Sequence, residues 1–124
     1  MTNIKKILIV EDDQALRLVL KDALQKEGYE VWDAEDGQMA LEIIEKFSPN
    51  LALIDIEIPK IDGLTLSGIM AEKKYTDTTK ILFLTNSSDL GHIATASKTE
   101  GVLGYLIKAD WDISAVVNQI KAKI

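Results

Sequence analysis

The 124-residue chain contains no cysteine, which excludes a disulfide framework and thiol chemistry. Positive charge is scarce: 14 Lys and Arg face 20 Asp and Glu, a formal net charge of −6. Nucleic-acid binding needs a basic face, so direct binding of that kind is not expected, whereas a protein partner with a basic patch is compatible. No apolar run approaches the roughly 18 residues needed to span a membrane, so no insertion is expected. The first residues, Met1-Thr2-Asn3-Ile4-Lys5-Lys6, run straight into a strand and lack a signal-peptide layout. Histidine occurs once, as His92, too weak a signal for a phosphate carrier. Together these absences predict a soluble cytoplasmic protein.

What remains is the composition of an ordered domain, with 47% hydrophobic and 27% charged residues. The length suits one domain over 1–124, and no output domain is expected after the last helix. Apolar runs of strand length alternate with helical patterns. Ile7–Val10, Tyr29–Ala34, Leu51–Ile54, Ile81–Leu84 and Leu103–Ile107 read as strands. Between them, Ala15, Leu16, Val19, Leu20, Ala23 and Leu24 recur at helical spacing, and Gly28 stands where a left-handed cap would end that helix. Further helices are predicted over Gln38–Phe47, Leu64–Lys74 and Asp89–Thr99, and around Ile113, Val116, Val117 and Ile120. Ser87, Ser88 and Asp89 would cap the fourth. Lys73 and Lys74 read as a solvated helix end, Trp32 and Trp111 as packing residues. Strands alternating with helices predict an α/β fold, a parallel sheet covered on both faces.

Ligands of such sheets bind beyond the carboxyl ends of the strands. Here those ends carry Glu11-Asp12-Asp13, then Asp55, Thr85 and Lys108. An isolated carboxylate such as Asp55 can attack phosphorus and form an aspartyl phosphate; otherwise it caps a turn. Two carboxylates about 4 Å apart repel by roughly 1–4 kcal/mol, a penalty that a divalent cation removes. Mg²⁺ takes one or two carboxylates, waters and phosphate oxygens, so Asp12 and Asp55 are candidate direct ligands and Glu11 a ligand through water. Asp13, past the strand end, is read as a helix cap. Lys108 offers a mobile charge for phosphate and Thr85 a hydroxyl donor.

These residues, with the segment Asp55-Ile56-Glu57-Ile58-Pro59-Lys60-Ile61-Asp62-Gly63, give the chain a resemblance to the receiver domain of bacterial two-component response regulators over essentially its whole length. The resemblance implies a doubly wound, flavodoxin-like (βα)5 fold with a five-stranded parallel sheet of order 2-1-3-4-5. It implies that Asp55 accepts a phosphoryl group from a phosphohistidine on a sensor kinase or a histidine phosphotransfer protein. It implies that Asp12, Asp55 and the main-chain carbonyl of Glu57 hold Mg²⁺, with Glu11 beside them. It also implies a switch in which Thr85 moves toward the phosphoryl group and Tyr105 turns inward; the plain reading of Tyr105 is an edge-strand aromatic with its hydroxyl in water. The fourth helix, fifth strand and fifth helix would then carry the signal to a downstream effector protein. Arg17, Leu18 and Lys21 would lie on the kinase-facing surface. The chain is expected as a monomer or a phosphorylation-dependent dimer.

Two positions depart from the family pattern. Lys108 is followed by Ala109 where a proline joined through a cis bond is usual, so either a strained cis bond or a rearranged loop is expected. Asn86 follows Thr85 where a small residue is usual, and Glu57 adds charge beside the site; these two are expected to set the lifetime of the phosphorylated state. Competing functions are a phosphorylation-independent scaffold of the same fold and a small phosphatase with an aspartyl-phosphate intermediate. Otherwise the chain catalyses only its own phosphoryl transfer and dephosphorylation.

Overall fold

Side chains alternate across a strand, so a strand with both faces buried must be apolar throughout. Ile7–Val10 and Leu51–Ile54 meet that condition, and every one of these residues is inaccessible to solvent. The computed structural model describes residues 4–85, 91, 99–108 and 112–124. In it β1 (Lys6–Val10), β2 (Glu30–Ala34), β3 (Leu51–Asp55), β4 (Lys80–Thr85) and β5 (Val102–Ile107) form one parallel sheet, ordered β2-β1-β3-β4-β5. This is the flavodoxin-like order expected from the sequence.

The described helices are α1 (Gln14–Lys26), α2 (Gly37–Phe47), α3 (Gly63–Glu72) and α4 (Ile113–Lys123), with a 3₁₀ turn at Tyr75–Asp77. Two cores lie on opposite faces of the sheet. One packs Leu8, Val10, Ile54 and Phe83 against Ala40 and Ile44 of α2 and Leu66 and Met70 of α3. The other packs Ile7, Ile9, Leu53 and Leu84 against Leu20 and Leu24 of α1 and Val116 and Ile120 of α4. Burying each such Leu, Ile or Phe contributes about 1.5–3 kcal/mol relative to exposure. The buried line of α1 is narrower than its apolar set, since Val19 is half exposed.

Helix ends follow local chemistry. Asp13, Asp36, Asp62 and Asp112 each stand before a helix and accept a hydrogen bond from the main-chain N–H three residues on. The cap reading of Asp13 therefore holds. Gly28 has φ +94°, its N–H donates to Gln25 and that of Tyr29 to Leu24, the paired bonds of a Schellman ending. Tyr29 is used there, so β2 starts at Glu30, one residue later than the apolar pattern predicts. Helix α3 stops at Glu72, short of the predicted Lys74, because Lys74 adopts φ +64° and opens the 3₁₀ turn. In β5 the register slips between Ile81 and Leu82 of β4, which leaves Leu103 in a bulge. Trp32 stacks on Phe47 with centroids 4.9 Å apart, as a packing residue should. The predicted helix over 89–99 with its cap lies almost wholly outside the described residues. So do Asn86, His92, Trp111 and the Lys108–Ala109 bond.

Candidate functional site

Parallel pairing brings all the strand ends to one edge. Asp55, the last residue of β3, pairs in register with Leu84, so Thr85 lies one step farther out on β4. Glu11 follows β1, and its N–H donates to the Ala34 carbonyl at 3.0 Å. Lys108 follows β5 directly. Glu11, Asp55 and Thr85 are buried, while Asp12 is exposed.

The Lys108 ammonium donates to Asp55 Oδ2 and to Glu11 Oε1, each at 2.8 Å. The other oxygen of each acid accepts a main-chain N–H: Asp55 Oδ1 from Glu57 at 3.1 Å, Glu11 Oε2 from Asp13 at 3.3 Å. Glu11, Asp12 and Asp55 each offer a carboxylate oxygen, all within 4.8 Å of one another. Burial, then the side chain of Asp55, pushes the Glu11 carboxyl above its ordinary range. Burial, then Glu11, does the same to Asp12. Burial pulls Lys108 down, but Asp55 and Glu11 outweigh it, so its pKa is raised. One ammonium thus serves a cluster that holds more negative charge than it neutralises, a donor set of hard oxygens suited to a divalent cation.

Two glycines permit the approach of the loops, and both directly follow a capping Asp. A Cβ on Gly63 would lie 2.6 Å from the Asp55 carbonyl oxygen and 2.8 Å from Ile56 Cα. A Cβ on Gly37 would strike the Ile61 carbonyl. Gly63 donates to the Ile56 carbonyl at 2.9 Å and Gly37 to that of Pro59 at 3.2 Å. The loop 56–62 is therefore pinned at one end to the start of α3 and in its middle to the start of α2. Lys60, at φ +69°, reaches Asp36 at 3.5 Å. A cleft of about 280 Å³ lined by Asp12, Glu35, Asp36, Pro59 and Lys60 opens beside the acids.

The family that this geometry suggests is matched directly: the model of the response regulator receiver domain covers residues 7–121. The chain belongs to that family. It is 33% identical over 117 residues to sporulation initiation phosphotransferase F of Bacillus subtilis, covering 94% of this chain and 91% of that protein. It is 34% identical to the transcriptional regulatory protein DegU of Brevibacillus brevis over 94% of this chain, but spans only 48% of DegU. Among solved structures, response regulator TrrA of Thermotoga maritima in complex with Mg²⁺ and BeF superposes with a TM-score of 0.83 at 32% identity, covering 98% of this chain and 100% of that one. A CheY-like receiver from Methanospirillum hungatei gives 0.86 at 31% identity, covering 98% and 94%. The chain is thus a receiver domain with an acidic cluster placed for phosphoaspartate chemistry. Among the described residues no helix is long and apolar enough to cross a membrane.

The structure brings Glu11, Asp12, Asp55 and Lys108 together, with Thr85 at the same edge. Tyr105 of β5, paired with Phe83 of β4, is 44% exposed and so has the outward placement of the plain reading. Arg17 differs from the expectation of a surface residue: its side chain is only 11% exposed and turned onto Asp33. The roles of Asp33, Gly37 and Gly63 went unread. The signal available for the glycines was the repeated Asp-Gly pair, since a helix start needs the Asp but has no use of its own for the Gly.

Proposed function

We propose that Asp55 is the phosphoacceptor and that phosphorylation switches the binding of a separate effector protein. The observation that carries this reading is the contact of Asp55 with Lys108 inside a cluster of three acids, two of them buried. A carboxylate oxygen of Asp55 attacks phosphorus, the phosphorus–nitrogen bond of a phosphohistidine breaks, and its electron pair stays on the imidazole. Lys108, already 2.8 Å from Asp55, follows the charge onto a phosphoryl oxygen. The N–H of Glu57 holds the other Asp55 oxygen in place.

Glu11, Asp12, Asp55 and the Glu57 carbonyl are the residues that would hold Mg²⁺, and the crowding of three carboxylates supports the fit. Bound there, the ion would neutralise charge on the transferring phosphoryl group. The complex of TrrA with Mg²⁺ and BeF supports the same reading. Thr85 and Tyr105 are the proposed switch pair, with Glu57 and Asn86 setting the lifetime. The proposed signalling face comprises β5, α4 and the segment between β4 and β5.

Membership of the receiver family supports the partner reading, in which a sensor histidine kinase or a histidine phosphotransfer protein supplies the phosphoryl group. A cytoplasmic location and a monomer or phosphorylation-dependent dimer belong to the same proposal.

Intact-mass spectrometry after incubation with acetyl phosphate and Mg²⁺ tests the proposal. A single phosphoryl adduct, absent in Asp55→Asn and without metal, is expected. No adduct under any condition would favour a phosphorylation-independent scaffold.

A further inference from the structure

We propose that Arg17 is a positioning residue for the acidic pair Glu11–Asp12, acting inward on the main chain of the site. This rests on the reading of those acids as metal ligands given above. Glu11 lies past the end of β1, and one side of its backbone is held by the bond to Ala34. The other side is held by Arg17, whose Nη1 donates to the Glu11 carbonyl at 2.9 Å. That carbonyl belongs to the peptide plane joining Glu11 to Asp12. Rotating the plane would swing both carboxylates.

Arg17 is itself fixed. Its Nε donates to Asp33 Oδ2 at 2.9 Å, and Lys21 donates to the other oxygen of Asp33 at 2.8 Å. Its main-chain N–H donates to the Asp13 carbonyl at 2.9 Å, so residue 17 ties down both ends of the segment 11–13. A planar guanidinium holds its donors in a rigid fork, so Nη1 and Nε meet the carbonyl and the carboxylate in fixed directions; an ammonium on a flexible stem lacks that fork. Burial raises the Asp33 carboxyl, but Lys21 and Arg17 outweigh it and hold it below its ordinary range, so the anchor stays charged. With 11% of its side chain exposed, Arg17 has little surface left to offer a docking kinase, unlike the half-exposed Leu18 beside it.

The test compares wild type, Arg17→Lys, Arg17→Ala and Asp33→Asn by three measurements. These are the thermal midpoint, the Mg²⁺ dissociation constant by calorimetry, and the rate of Asp55 labelling by acetyl phosphate with Mg²⁺. The assays run well below each midpoint. Arg17→Lys keeps a cation for Asp33, so it should fold even where Arg17→Ala does not. Expected is about a tenfold loss of Mg²⁺ affinity in the Arg17 variants, the size typical of residues that orient metal ligands. The labelling rate at subsaturating Mg²⁺ should fall with it. Asp33→Asn keeps an amide oxygen that can still accept from Arg17 Nε, so it should lower the midpoint while changing Mg²⁺ affinity less than about twofold.

Arg17→Lys with affinity and labelling within about twofold of wild type would overturn the proposal. So would an affinity loss in Asp33→Asn equal to that in Arg17→Lys, which would mark a purely structural role. If wild type neither binds Mg²⁺ nor takes a phosphoryl group, the site reading itself fails and the inference falls with it.

Discussion

The Lys108 ammonium lies 2.8 Å from Asp55 Oδ2, a contact between residues 53 positions apart that joins the ends of β3 and β5. The same nitrogen lies 2.8 Å from Glu11, so it screens two buried acids from each other. Removing it leaves like charges facing at close range, a repulsion of roughly 1–4 kcal/mol near 4 Å. With its side chain a quarter exposed, Lys108 lies between exposed and buried pairs, and Lys108→Ala is expected to lose about 1–3 kcal/mol of stability in metal-free buffer. Saturating Mg²⁺ should restore part of that loss, so the metal should raise the variant's melting temperature more than that of wild type. Calorimetry with and without Mg²⁺ checks this; an equal response in both proteins would show that Lys108 does not screen the acids.

Asp33 gives a pH dependence of definite sign. Arg17 and Lys21 outweigh the effect of burial and lower its pKa from the ordinary 3.8. A lowered acid contributes stability that is present above its unfolded pKa and lost as pH falls through its folded one. Asp33→Asn should thus be less stable than wild type at neutral pH by about 1–3 kcal/mol, between the values of exposed and buried pairs. The gap should close below pH 3.8, where the unfolded-state Asp33 takes up its proton first. Urea titrations of both proteins between neutral and acid pH measure it; a gap independent of pH would locate the effect in packing.

Gly63 tests the fit of loop against strand. Its added Cβ would meet backbone, the Asp55 carbonyl oxygen and Ile56 Cα, which cannot rotate away as a side-chain tip can. Gly63→Ala gains helix propensity at the start of α3, yet it should lose about 1–3 kcal/mol through overpacking. Labelling of Asp55 by acetyl phosphate should slow as well, since the strand end must shift. Unchanged stability with unchanged labelling would mean that α3 can move away without disturbing the site.

The fold was legible because its central strands are buried on both faces and so appear as unbroken apolar runs, as at Ile7–Val10 and Leu51–Ile54. The gathering of Glu11, Asp12, Asp55 and Lys108 was legible for a related reason: a parallel sheet puts every strand's carboxyl end on one edge. What stayed hidden depends on direction rather than on position in the chain. Arg17 is one charged residue on a helix surface until its side chain is seen turned onto Asp33 and the Glu11 carbonyl. Lys74 interrupts α3 through a left-handed backbone that no glycine or proline advertises. The bulge at Leu103 had one faint signal, the glycine inside the strand pattern: Gly104 beside it adopts φ +155°.

Asp12 marks the conflict between stability and function in this site. It is exposed, yet burial and the neighbouring Glu11 together raise its pKa above the ordinary 3.8. A raised acid has the opposite sign to Asp33: its contribution is favourable while protonated and is lost as pH rises through the folded pKa. At neutral pH the ionised Asp12 therefore strains the cluster, and solvent screening limits the cost to a few tenths of a kcal/mol. Asp12→Asn should be at least as stable as wild type without metal, while its stability should no longer respond to Mg²⁺ because a charged ligand is gone. Thermal unfolding across a Mg²⁺ titration measures both effects at once. An Asp12→Asn protein that is markedly less stable without metal would assign Asp12 a structural role, and one stabilised by Mg²⁺ as strongly as wild type would remove Asp12 from the ligand set.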